Sequence, residues 1–452
     1  MNIKESIMQG TVWGSLMCTC TMDELPKEAY KEPGKLYSYK GVPIPPLEMV
    51  DDILTVTNVE NTLNMNKKVN TFIEHKNLKL SKTKSHRIHI GKGHMHCPQL
   101  KVHEDDMKDS TREKYLGDII DSNASIQATI DSRKIKGNGI VAEISSILEE
   151  IPFGRQTTEV AMKLREAMLL NGMLYNVEAW HGVTSKQIKS LEIIDESLLR
   201  KILKAHSKTP KEILYLEIGA LPVRWVVAQR RILFMKHIME RHENELLKKV
   251  FLAQKDNPSQ GDFVNIVAKD LIDLKVSYEE VTTLSKVQLK AIIKENAKSA
   301  AFEHLKSTLL THTKVKDIKY DHLEMQVYLK SEVLSCEEIK TLTSFRSNCT
   351  RSIRSNFRKM FSSLECPLQC DILTPQIDNP SHILECKKLK SNTPKEDLSL
   401  IYGTIVEQET IAKVLCKLMR KRIMLLEQVD TSLPGVIPDS SPNTAATVLP
   451  CV

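Results

Sequence analysis

The chain has 452 residues, 41% hydrophobic and 27% charged, with a formal charge of +7. That length exceeds one ordinary core and predicts two or three domains, and the mild positive excess makes the placement of charge more telling than its total. No run of 18 to 20 uncharged apolar residues occurs, which excludes a membrane-spanning helix, and the first residues lack the apolar stretch of a secretory signal. Ten cysteines without such a signal read as reduced thiols or metal ligands, so the expected compartment is nucleus or cytoplasm.

In chain order, residues 9–121 carry mixed, strand-bearing character. Pro43, Pro45 and Pro46 break the chain before two short apolar strands around Asp51 and Asp52. Residues 58–75 have helical periodicity, with Val59, Leu63, Val69, Phe72 and Ile73 spaced for one face. Residues 87–90 and 115–120 read as further strands. From about residue 122 the pattern is helical. Thr184 and Ser185 can cap a helix whose apolar face is Ile188, Leu191, Leu198 and Ile202. Residues 223–250 and 285–310 read as long helices, 257–262 as a loop, and 411–428 as a last basic helix. The Pro-, Ser- and Thr-rich end reads as a disordered tail.

Three features carry chemistry. Asp51 and Asp52 crowd two carboxylates at a hairpin tip, an arrangement that Mg²⁺ relieves and that a two-metal site uses; a solvated turn is the plain alternative. Positive charge is concentrated twice. Between positions 61 and 101 there are nine Lys or Arg against the single acid Glu74, and positions 340–360 hold six basic residues and no acid. Drawn as one helix, the second segment places Leu342, Phe345, Cys349, Ile353, Phe357 and Met360 on one stripe and Arg351, Arg354 and Arg358 on the other. Such a face can meet phosphates or simply be solvated. Finally, Cys366, Cys370, His382 and Cys386 form C-x3-C-x11-H-x3-C, a donor set suited to a closed tetrahedral Zn²⁺ site, with chance proximity as the alternative. The histidines at 86, 89, 94, 96 and 103 read as surface residues.

The ordered set of short motifs resembles the C-terminal part of a non-LTR retrotransposon reverse transcriptase. Gln9 and Gly10 resemble the Gln-Gly segment that lines the nucleotide and template pocket. Met49-Val50-Asp51-Asp52 resembles the aromatic-x-Asp-Asp box, with Met where Tyr or Phe is commoner. Lys84 falls in a segment similar to the one whose lysine protonates the leaving pyrophosphate, and Tyr115-Leu116-Gly117 is similar to the primer grip. The run from Asn171 to Trp180 resembles the region after the polymerase domain, and a Cys-Cys-His-Cys module often follows there.

The resemblance implies an α+β partial palm over residues 1–121 and a mainly α-helical thumb and connector over 122–335. A basic helix with a small zinc-knuckle-like module then occupies 336–395, a C-terminal helix 396–428 and a tail 429–452, mostly α overall. It implies structural Zn²⁺, Mg²⁺ for a competent polymerase, and RNA or DNA as partner, with no membrane. Only eight residues precede Gln9, so the family's upstream carboxylate and fingers are expected to be missing from this chain. The chain is therefore expected to be inactive alone as an RNA-directed DNA polymerase, and to retain nucleic-acid binding. A full-length polymerase chain is the partner that would complete it. A non-catalytic RNA- or DNA-binding protein derived from such an element, or a decayed product without function, remain the alternatives.

Overall fold

The computed structural model describes residues 12–91, 98–151, 155–311, 320–349, 365–371, 374, 376, 380–389 and 398–431. It is mostly helical, 61% helix and 8% strand.

The first third is built on three helices, α1 (Val12–Met22), α2 (Glu24–Tyr30) and α3 (Val59–His75). They close a small core of Met22, Leu25, Ala29, Leu36, Met65, Val69, Phe72 and Ile73. The periodicity of α3 places Val69, Phe72 and Ile73 inside as expected. Leu63 is instead half exposed, and Met65 takes the buried position.

Among the described residues the strands pair only two by two. The antiparallel ribbons are β1 (Tyr37–Tyr39) with β2 (Val42–Ile44), and β3 (Leu47–Met49) with β4 (Asp52–Leu54). β5 (His86–Ile88) runs parallel to β8 (Lys108–Ser110), and β6 (Lys101–Val102) pairs with β7 (Asp105–Asp106). β9 (Arg112–Tyr115) and β10 (Asp118–Asp121) close a final hairpin. The strand expected over 115–120 is therefore a hairpin tip. Leu116 and Gly117 both take positive φ, +46° and +91°, the two-residue turn that matches strand twist.

The helical body begins with α4 (Gln127–Glu149). Next, α5 (Arg155–Leu164) runs through a π-helical stretch (Arg165–Leu170) into the short α6 (Asn171–Met173). α7 (Ser185–Ile202) packs on α4, and its Ile188, Leu191, Leu198 and Ile202 are buried as the pattern predicts. α8 (Lys211–Ile218) leads into α9 (Val223–Met239), the central helix. The long helix expected over 223–250 is broken after Met239, and α10 (Leu246–Asp256) restarts it. α11 (Phe263–Asp273), α12 (Tyr278–Thr283) and α13 (Lys286–Leu310) surround α9 with α7 and α10. α14 (Cys336–Arg346), α15 (Pro380–Glu385) and α16 (Ile405–Thr431) complete the chain, and their buried residues join the same large core.

Local sequence starts these helices. α7, α12, α13 and α14 each open on a capping box, Thr184/Gln187, Ser277/Glu280, Ser285/Gln288 and Ser335/Glu338. Thr404 and Glu407 make the same reciprocal bonds ahead of α16. Each pair satisfies amide donors that a helix start leaves orphaned.

Two buried ion pairs fix the packing. Arg165 in the π-helical stretch meets Asp195 of α7 through Nε–Oδ1 at 2.6 Å and Nη2–Oδ2 at 2.7 Å, and Tyr215 donates to the same carboxylate. Arg346, at the end of α14, meets Glu217 of α8. The helix expected to run from 340 to 360 therefore stops at Arg346, with Asn348 at φ +50° beyond it. Leu342 and Phe345 of its apolar stripe are buried, while Arg351, Arg354 and Arg358 lie outside the described residues.

Candidate metal centre and carboxylate hairpin

The four Cys and His positions converge. The ligand atoms of Cys366, Cys370, His382 and Cys386 all lie within 4.8 Å of one another, and the cluster could hold a metal such as zinc. A tetrahedron with Zn–S bonds of about 2.3 Å has edges of about 3.8 Å. The sulfurs of Cys366 and Cys386 are 3.9 Å apart, and Cys370 Sγ sits 3.4 Å from His382 Nε2. These separations fit such a set without large rearrangement.

Backbone geometry explains the convergence. A tight turn joins the first two cysteines, with Gln369 N–H donating to Cys366 carbonyl and Gln369 at φ +47°. Cys366 N–H reaches across the loop to the Gln376 carbonyl at 2.7 Å. α15 carries His382, and the chain leaves it at Cys386, where Leu389 N–H closes a turn on the Cys386 carbonyl.

The electrostatics favour anionic sulfur at one position. Cys366 is drawn well below the usual thiol value, first by hydrogen bonding with Cys386 and also by His382 and the Leu368 amide. Burial raises Cys370, and the Cys366 sulfur raises Cys386. Backbone amides at Lys387, and at Lys388 and Leu389, donate toward Cys370 and Cys386 respectively. Such donors stabilise thiolates, the form that binds metal.

The cluster does not stand apart from the body. Cys366, Leu368, Ile383, Cys386 and Leu389 belong to the large core, and Lys421 of α16 donates to the Leu389 carbonyl at 2.9 Å. Cys18, Cys20, Cys336, Cys349 and Cys416 are unbridged elsewhere in the chain, whereas Cys97 and Cys451 lie outside the described residues.

Asp51 and Asp52 sit where the hairpin reading puts them, exposed at the β3–β4 turn, with Val50 at φ +60° and Met49 opposite Asp52. Cys18 of α1 donates its thiol to the Val50 carbonyl at 3.3 Å, which ties the hairpin to the helices. Among the described residues only the Cys/His cluster gathers three or more metal-type ligand atoms, so the pair assembles no closed Mg²⁺ site here. Lys84 is exposed, and no hydrogen bond or ion pair joins it to either aspartate. Gln9 and Gly10 lie outside the described residues.

Tyr115 lies within electrostatic reach of Asp52 and Glu48. Burial pushes its phenol above the ordinary value, with Asp52 and Glu48 adding to the effect. Glu48, which the motif reading passes over, has a buried Oε1 without a hydrogen-bond partner, and its carboxyl is pushed up to about 7 by burial and by Asp23. Its signal is an acid within a short apolar strand.

The Tyr115–Leu116–Gly117 turn docks on the Asn171-to-Trp180 run. Asn176 Nδ2 donates to the Leu116 carbonyl at 3.1 Å, and Arg133 Nη2 to the Gly117 carbonyl at 3.0 Å. Trp180 Nε1 and Arg133 both reach Asp118. A Cβ on Gly117 would stand 3.0 Å from the Tyr175 ring, a tight contact, and φ +91° itself favours glycine there. Two segments singled out separately in the sequence thus form one contact. His86 pairs with Glu113, and His103 accepts from the Leu80 amide, both ordinary structural uses. Comparison with known protein families, with curated proteins and with solved structures gives no match to this chain.

Proposed function

We propose that this chain is a nucleic-acid-binding protein related to the C-terminal part of non-LTR reverse transcriptases. In this reading a structural zinc ion holds its Cys-His module against the helical body. The observation that carries it is the Cys366–Cys370–His382–Cys386 cluster with tetrahedral ligand spacings. In sequence the cluster directly follows the basic stretch with Arg351, Arg354 and Arg358. Bound metal would order a loop-rich module and fix it on α16. The arginines would contribute phosphate contacts whose affinity falls with salt.

Fluorescence anisotropy with labelled RNA and DNA across a salt series, with and without a zinc chelator, tests this. Binding that weakens with salt and drops on chelation is expected. Absence of binding at low salt overturns it.

Polymerase chemistry is the second reading, favoured by the Asp51–Asp52 hairpin with Tyr115 within its electrostatic reach. On the first reading the purified chain alone extends no primer. Mg²⁺-dependent product that disappears on Asp51→Asn would establish the second.

A further inference from the structure

The sequence flags basic residues at 61–101 and at 340–360, and folding brings the first lysine of the second stretch against a further basic run at the end of α7. A cleft of about 760 Å³ opens where the C-terminal ends of α4 and α7 face α14, a size in the range of ligand-binding clefts. Arg200, Lys201 and Lys204 line it from the end of α7, Lys340 from α14, and the acids Glu149 and Glu196 from α4 and α7.

These cations divide into two kinds. Arg200 Nη1 donates to the carbonyls of His206 and Thr209 at 2.5 and 3.1 Å, and Lys201 Nζ donates to Ser145 at 3.0 Å. Arg200 thus satisfies acceptors past the helix end, Lys201 ties α7 to α4, and both offset the negative end of the α7 dipole. Lys204 and Lys340 are exposed and, among the described residues, have no hydrogen-bonded or ion-paired acid. His206 at the same end reports the field: burial first, then Lys208, Arg200 and Lys340, hold its imidazole below the ordinary value. Glu196 offsets this charge only in part, because burial pushes its carboxyl up to about 7, and the exposed Glu149 lines the same cleft, so four cations face two acids.

None of the described residues lining the cleft is aromatic. A base therefore finds no stacking platform there, while phosphates find lysine donors. We infer that the cleft between α7 and α14 binds the phosphate backbone of a nucleic acid, without reading its bases. This deepens the nucleic-acid reading above and depends on it. Lys340 opens the 340–360 basic stretch that also holds Arg351, so the cleft and that stretch are joined along the chain.

The test compares Lys204→Gln/Lys340→Gln with wild type on a labelled DNA duplex over a salt series. Lys290→Gln/Lys294→Gln on α13 is the control, since it removes the same formal charge elsewhere on the surface. Each lost phosphate contact lowers the slope of log affinity against log salt by about 0.9, so the cleft variant should lose about 1.8. The control slope should be unchanged, and two duplexes of different sequence should respond alike. Equal slopes for wild type and cleft variant, with the wild type still binding, overturn the cleft and leave the broader reading standing. Equal losses in cleft and control variants overturn the cleft as well, by showing only net charge. A wild type that binds no duplex or RNA at low salt overturns both.

Discussion

Arg346 and Glu217 meet through a 2.8 Å Nε–Oε1 bond with both side chains fully buried, and this joins the end of α14 to α8. The guanidinium also donates to Gln326 and to the Ile401 carbonyl, and lies over the Tyr402 ring at 4.4 Å. Tyr320 donates to the same Glu217 oxygen at 2.5 Å. Removing one member of such a pair strands a buried charge, at a cost of about 3–5 kcal/mol. Arg346→Met should therefore lower the urea midpoint sharply, whereas a loss below about 1 kcal/mol would mean that the site relaxes or hydrates.

Gly219 ends α8 at φ +71°, and a Cβ there would stand 2.4 Å from the backbone of Glu324 and Met325. Backbone cannot rotate aside as a side chain can. Gly219→Ala is expected to cost about 1–3 kcal/mol or more, from both the conformation and the clash. Thermal melts of wild type and variant check this.

Metal content gives a direct measurement on the cluster. One Zn²⁺ or Co²⁺ per chain is expected, and the Co²⁺ form should show the intense visible bands of tetrahedral thiolate coordination. Cys366→Ser and His382→Ala should each weaken uptake. Chelation should lower the melting temperature of wild type more than that of Cys366→Ser, whose metal uptake is already weakened.

Glu48 supplies a pH dependence. Its folded-state value of about 7 lies above the ordinary 4.5, so between those values the native state holds a proton that the unfolded chain has released. Stability from this group is intact below pH 4.5 and is lost as pH rises through 7. Wild type should therefore lose stability relative to Glu48→Gln over that window. A difference that stays flat from pH 4.5 to 8 would show that the carboxyl is solvated.

What the sequence reveals is mostly what neighbouring residues decide. The Ser/Thr-x-x-Glu/Gln boxes announce helix starts because both partners lie within one turn. The Asp51–Asp52 hairpin is legible from apolar residues flanking a polar turn, and the metal cluster from ligand spacing. The misreadings have tertiary causes. Leu116-Gly117 is a turn without the usual Asn or Asp, held by Asn176 and Arg133 from distant segments. The break after Met239 contains neither Pro nor Gly, and Glu245 holds it by accepting from the His242 amide and pairing with Arg241. Arg346 counts as surface charge in a linear tally, yet its partners are 20 to 129 residues away. The α7–α14 cleft stays hidden for the same reason, since Lys204 and Lys340 meet only in space.

Lys40, in the β1–β2 turn, reaches Asp262 at 2.8 Å, and Tyr39 donates to the same carboxylate at 2.9 Å. Together with the Leu116–Gly117 turn on α4, this fastens residues 12–121 to the helical body through hairpin tips, while their own core stays small and separate. Cooperativity should divide there. Amide protons of α3 should exchange through a local opening that leaves those of α9 protected, giving the chain two exchange classes where a shared core would give one.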